Sequence, residues 1–139
     1  ETFVHSVHDV LTERFRRGGA RIERFYHCPH DPHAPIEQYR QDCTCRKPQP
    51  GLVLQAVNDL ELDPTRSFVV GDKWSDVAVA HRVGATGILV RTGYGASQAE
   101  RSDRPPDAIV TADLMAATVW ILEQWPDPTT REPRGRSLP

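Results

Sequence analysis

Residues 67–90 read SFVVGDKWSDVAVAHRVGATGILV, and this stretch decides the fold. Phe68, Val69 and Val70 form a short, unbroken apolar run, the pattern of a strand buried on both faces of a parallel sheet. The run stops at Gly71-Asp72. Ser75 to Val83 then has helical character, with small Ala78 and Ala80 allowing close packing and Gly84 closing the helix. Thr86 to Val90 is a second apolar strand. A strand–helix–strand unit with such short links predicts α/β architecture with parallel strands. Ligands bind such sheets beyond the carboxyl ends of the strands. Asp72 lies there, with Lys73 beside it and Asp76 one helical turn later. A carboxylate and a lysine at a strand end suit a hard cation held together with a phosphate. The plainer alternative is that Asp72 or Ser75 only caps the helix.

Working outward, Pro50 stands where a first helical residue would, and Leu52, Val53, Leu54, Val57 and Leu60 give the next helix an apolar side. Asp63-Pro64-Thr65 is a turn. Beyond the central unit, Arg91 to Pro106 reads as a polar loop containing Gly93 and Gly95. Asp107 to Val110 is a last short strand, and Asp113 to Trp125 a last helix with Asp113 as its N-cap. At the other end, Phe3, Val7, Val10, Leu11 and Phe15 recur at helical spacing until Gly18-Gly19. Ile22 and Phe25-Tyr26 alternate with charges, so Ala20 to Tyr26 is predicted to be an edge strand. One domain over residues 1–125 is expected. Residues 126–139, with four prolines and three arginines, are expected to be a disordered tail.

The segment 28–45 has almost no apolar residues to hold it, yet it contains all three cysteines. Cys28-Pro29-His30 and Cys43-Thr44-Cys45 bracket a polar loop, and Arg46-Lys47 follows directly. Three thiolates and an imidazole make a Cys₃His set suited to tetrahedral zinc. Structural zinc contributes roughly 10–16 kcal/mol in small peptides, enough to order such a loop. His33 competes with His30 as the nitrogen ligand, and His30 is favoured. The bland alternative is a group of ordinary reduced thiols and surface histidines. Clamping Cys45 also positions Arg46 and Lys47, two cations able to meet phosphate.

The whole composition excludes several classes. Seventeen basic and nineteen acidic residues leave a formal charge of −2, which gives nucleic-acid binding no global electrostatic support. No apolar run approaches the ~18–20 residues of a membrane span. An odd number of cysteines and the lack of a signal peptide argue against a disulfide framework and for a cytoplasmic setting.

Cys45-Arg46-Lys47-Pro48 ahead of a helix, followed by Val69-Val70-Gly71-Asp72-Lys73 and Asp76, resembles the third and fourth motifs of haloacid dehalogenase-type phosphatases. The Cys-x-His…Cys-x-Cys loop resembles that family's heptose 1,7-bisphosphate phosphatase branch, with histidinol-phosphate phosphatases as relatives carrying a shorter loop. Twelve residues, 31–42, separate His30 from Cys43, which favours the heptose branch. Arg91-Thr92-Gly93 also fits. The resemblance implies a Rossmann-like parallel sheet with an inserted zinc loop. It implies zinc on Cys28, His30, Cys43 and Cys45, substrate recognition by Arg46, and neutralisation of the transferring phosphoryl group by Lys47. It further implies magnesium on Asp72, substrate contact by Lys73, and Asp76 orienting the magnesium site without binding the ion. The expected partner is a small phosphorylated sugar.

The family also uses an aspartate nucleophile in a D-x-D motif and a Ser/Thr motif on the next strand. Neither occurs here; Glu61-Leu62-Asp63, the nearest spacing, follows a helix. The chain therefore reads as the C-terminal two-thirds of such a phosphatase, incomplete at the N-terminus and expected to be inactive alone. A missing N-terminal lobe, supplied by another chain, or self-association is expected. The reading from another functional class is a non-catalytic, zinc-stabilised module.

Overall fold

The computed structural model describes residues 2–105 and 108–125. Helix α1 spans Thr2–Arg17, α2 Gly51–Leu60, α3 Trp74–Val83, α4 Gly95–Ala99 and α5 Leu114–Gln124. Strands β1 (Phe68–Gly71), β2 (Thr86–Val90) and β3 (Ile109–Thr111) form one sheet in the order β1-β2-β3. Both pairings are parallel, with Val70 opposite Ile88 and Leu89 opposite Val110. This is the α/β arrangement that the central stretch predicts.

β2 lies between the other two strands, and its side chains alternate between two apolar layers. On one face Leu89 packs with Val77 of α3 and Ala99 of α4. On the other, Ile88 and Val90 pack with Ala117 of α5, backed by Phe68, Trp120 and Ile121. Ile88, Leu89, Val77 and Val79 are fully buried, each worth roughly 1.5–3 kcal/mol in transfer terms. Gly87 lets α3 come close, since a Cβ there would lie 2.8 Å from the Cα of Val77. The deeply buried strand is thus β2. β1, predicted to be buried on both faces, is only half-buried, because it forms the rim of the sheet.

Several boundaries follow the sequence closely. Gly84 ends α3 in the left-handed region at φ 79°, and Asp113 caps α5 by accepting the Ala116 N–H at 2.8 Å. Pro50, predicted as the first helical residue, is instead the N-cap of α2, which starts one place later at Gly51. The predicted polar loop 91–106 contains α4, whose first residue, Gly95, is pressed against the Val90 carbonyl. The last strand is displaced to Ile109–Thr111, and Asp107 lies outside the described residues, as does the predicted tail 126–139.

The predicted edge strand at Ala20–Tyr26 is not formed. Its alternation reports which side chains face inward, but a strand also needs a neighbour for its backbone groups. Among the described residues no strand lies beside this segment. Its side chains reach α2 instead: Arg24 and the Tyr26 hydroxyl both donate to Asp59, at 2.8 and 3.1 Å. No helix among the described residues is long and apolar enough to cross a membrane.

Candidate active site and metal centre

The loop between α1 and α2 is held by polar contacts, as its composition requires. Asp31 N–H donates to the Tyr39 carbonyl at 2.8 Å, and Arg40 donates to the carbonyls of Ala34 and Pro35. At its far end Gly51 N–H donates to the Thr44 carbonyl at 2.8 Å, so the loop is tied to the first turn of α2. A side chain at position 51 would collide with that carbonyl.

These contacts bring Cys28, His30, Cys43 and Cys45 together, with their ligand atoms all within 4.8 Å of one another. Cys45 Sγ is 2.9 Å from Cys28 Sγ, 3.1 Å from Cys43 Sγ and 3.4 Å from His30 Nδ1. Thiolates around one zinc stand about 3.8 Å apart, from ~2.3 Å bonds at tetrahedral angles. The four donors therefore converge on a single point, slightly more tightly than around an ion, and the set fits zinc. Between the two candidate histidines, His30 joins the cluster and His33 does not; the backbone N–H of His33 bonds the Asp31 carboxylate at 2.9 Å. The thiols already share protons. Donation from Cys45 is the main reason that the Cys43 thiol is lowered to about 6, whereas burial chiefly pushes Cys45 up to about 12. A divalent cation bound by this set would displace the remaining thiol protons.

Arg46 leaves this cluster and turns back on the loop. Its guanidinium donates to the His30 carbonyl at 2.8 Å and to Asp31 at 2.7 Å. The next side chain goes the other way: Lys47 Nζ lies 2.6 Å from Asp76 Oδ1. Asp76 is 5% exposed, and its second oxygen accepts the Lys73 N–H at 3.1 Å. The buried carboxylate thus anchors a lysine from the loop and the entry to α3 at once. Gly71 is what makes room, since a Cβ there would overlap the Asp76 carboxylate.

Asp72 follows β1 directly, at the carboxyl end predicted for a ligand site. Its Oδ2 accepts the Tyr94 N–H at 3.0 Å, while Oδ1 has no hydrogen bond among the described residues. Gly93, at φ 60°, turns the chain so that this N–H faces Asp72, and a side chain on Gly93 would strike the carboxylate. Lys73 extends over the Tyr94 ring, 4.3 Å from its centroid. The indole of Trp74 donates to the Gln98 carbonyl at 2.8 Å, pinning α4 beside the site.

Arg46, Lys47, Asp72, Lys73 and Asp76 all line one cleft of about 620 Å³, whose apolar wall includes Leu52, Val53 and Val79. Cys28 and Cys45 border it, so the metal loop forms one side of the site. The sequence singled out all of these polar residues. It missed Tyr94 and Gln98, and the only cue was the Gly93-Tyr94-Gly95 turn signal. Such a cleft can gather phosphate oxygens between a lysine and a cation held by a carboxylate.

The profile of the HAD-hydrolase-like family matches residues 44–117, which span the Lys47 turn, the whole sheet and the start of α5. The chain belongs to the haloacid dehalogenase-like hydrolases. It is 49% identical over 108 residues to the D-glycero-beta-D-manno-heptose-1,7-bisphosphate 7-phosphatase of Escherichia coli K12, covering 76% of this chain and 49% of that protein. Against the D-glycero-D-manno-heptose-1,7-bisphosphate 7-phosphatase of Chlorobaculum tepidum the identity is 37%, covering 93% of this chain and 66% of the relative. Among solved structures, D,D-heptose 1,7-bisphosphate phosphatase from B. bronchiseptica, complexed with magnesium and phosphate, superposes with a TM-score of 0.74 at 26% identity. That match covers 87% of this chain and 64% of the other. The chain spans about half the length of most of the relatives it matches.

Proposed function

We propose that the protein contributes to a magnesium-dependent phosphatase that removes one phosphate from a sugar bisphosphate, D-glycero-D-manno-heptose 1,7-bisphosphate in the first instance. The observation that carries the reading is the Lys47–Asp76 pair at 2.6 Å in a cleft that also contains Asp72 at the end of β1. Lys47 is the proposed catalytic cation. Asp76 holds its ammonium in place, so no reorientation is needed when negative charge shifts on the phosphoryl group. Asp72 is the proposed magnesium ligand, and the bonded Tyr94 N–H fixes its carboxylate. Magnesium, when bound, supplies positive charge to the phosphate oxygens.

Lys73 and Arg46 are assigned to substrate recognition. Arg46's bonds to the loop keep it at the cleft wall. Cys28, His30, Cys43 and Cys45 are the proposed ligands of a structural zinc, since four protein donors leave no open position for water. The reduced thiols support a cytoplasmic setting. The phosphoryl acceptor of this mechanism is an aspartate in a D-x-D motif, which residues 1–139 do not contain. The activity proposed is therefore that of the protein with this motif present.

The test is phosphate release by the full-length protein from heptose 1,7-bisphosphate and from histidinol phosphate, with magnesium present. A kcat/KM at least about tenfold higher for the heptose substrate is expected, a difference of about 1.4 kcal/mol in transition-state binding. Preference for histidinol phosphate would reassign the substrate while leaving the phosphatase reading intact. No release from either would overturn both.

A further inference from the structure

A second group of metal-binding side chains stands next to the cysteine loop. His5 and His8 occupy positions i and i+3 of α1, and therefore share one face of the helix. His27, immediately before Cys28, meets them from the loop. The ring centroids are 6.3 Å apart for His5–His8, 6.2 Å for His5–His27 and 5.8 Å for His8–His27. The triangle is nearly equilateral. Three imidazoles on one tetrahedral ion would place their centroids about 5 to 5.5 Å apart, given ~2.1 Å metal–nitrogen bonds. Closing the difference takes less than an ångström per ring. His5 and His27 are exposed and can rotate to supply it.

The third ring has a fixed orientation. His8 stacks on Phe25 with centroids 4.1 Å apart and planes inclined by 7°. An aromatic face behind an imidazole holds the plane of the ring. Three imidazoles with no carboxylate or thiolate among them select late first-row divalent ions over magnesium or calcium. The Cys₃His donors are a separate set that does not include His27, and among the described residues only that set has its ligand atoms already converged, so the three imidazoles would have to turn their nitrogens inward on an ion.

We propose that His5, His8 and His27 form a second metal site, for a zinc-class divalent transition ion, which clamps α1 to the metal loop and leaves a coordination position open to water. His27 also lines the main cleft, which puts the ion at the edge of the candidate active site.

Cobalt(II) distinguishes the two sites, because only the cysteine site gives an intense sulfur-to-metal charge-transfer band. Titration of the metal-free full-length protein with cobalt(II) in excess magnesium, which keeps the Asp72 site filled, should bind about two cobalt ions per chain, in a four-donor thiolate site and a three-imidazole site. The combined His5→Gln and His8→Gln variant should keep the charge-transfer band, which reports an intact loop, and lose one ion. His8→Phe preserves an aromatic ring on Phe25 and should lose the same ion. Uptake of a single ion by the wild type would overturn the proposal. So would retention of two ions in either variant.

Discussion

Lys47 and Asp76 are 29 positions apart in the chain, and their side chains meet at 2.6 Å. The two ends of this contact differ sharply in exposure: the lysine side chain is 55% exposed and the aspartate 7%. A cation that faces the cleft is therefore held by a carboxylate sunk into the entry of α3. The fold fixes where the charge stands while leaving it accessible to substrate.

Asp76→Asn keeps the shape of that support and removes its charge. Lys47 would lose its anchor, and misplacing a group by about 1 Å can cost on the order of 10²-fold in rate. A fall in kcat of that size is expected in the full-length enzyme, with a smaller change in magnesium dependence than Asp72→Asn produces. Steady-state kinetics across a magnesium titration checks both parts.

Lys47→Ala should lower kcat on the order of 10²-fold or more, as removal of a donor to developing charge does elsewhere. KM should change little. An unchanged kcat with a raised KM would mean that Lys47 only binds substrate.

Asp72→Asn should raise the magnesium concentration needed for half-maximal activity by about ten- to a hundredfold, the range seen when a metal site loses a supporting group. Equal magnesium response in wild type and variant would remove Asp72 from the proposed site.

Gly71→Ala is a stability test of the same geometry. The new Cβ would occupy the space of the Asp76 carboxylate, and overpacking of this kind costs roughly 1–3 kcal/mol. Urea denaturation should show a lower midpoint with an unchanged slope.

Cys43→Ser should empty the closed four-ligand site and so lower bound zinc by about one ion per chain. The loss should also release Arg46, because its two partners, the His30 carbonyl and Asp31, are ordered by the loop. Metal analysis together with hydrogen exchange over residues 28–46 would register both effects.

Much of this arrangement was readable in the residues alone. The apolar run at Ile88-Leu89-Val90 and the helix closed by Gly84 gave the parallel unit, since burial and backbone conformation there are local properties. The thiol–imidazole set was readable because ligand chemistry is written in residue type. His30 was already favoured over His33 in the residues, and the path of the loop brings its ring to the thiols. Asp76 was legible as a residue near the site but not as the anchor of Lys47, because that pairing depends on how the loop meets α3. Segment 20–26 shows the converse limit: its alternation was genuine, but periodicity contains no information about whether a neighbour is present. α4 escaped notice because Gly95 to Ala99 has small and polar residues with no apolar repeat.

β1 has a further consequence through its place at the rim of the sheet. Among the described residues no strand pairs with its far side, and the chain reaches Asp72 at the end of that row of backbone groups. Neighbouring strands run about 4.8 Å apart. A polypeptide zipped onto this seam in parallel would therefore deliver its own carboxyl-end side chains straight to Asp72 and into the mouth of the cleft. On such a seam a shift of one residue would turn every incoming side chain to the opposite face. Alignment along β1, more than affinity for it, would decide whether an incoming carboxylate could reach a phosphate held there.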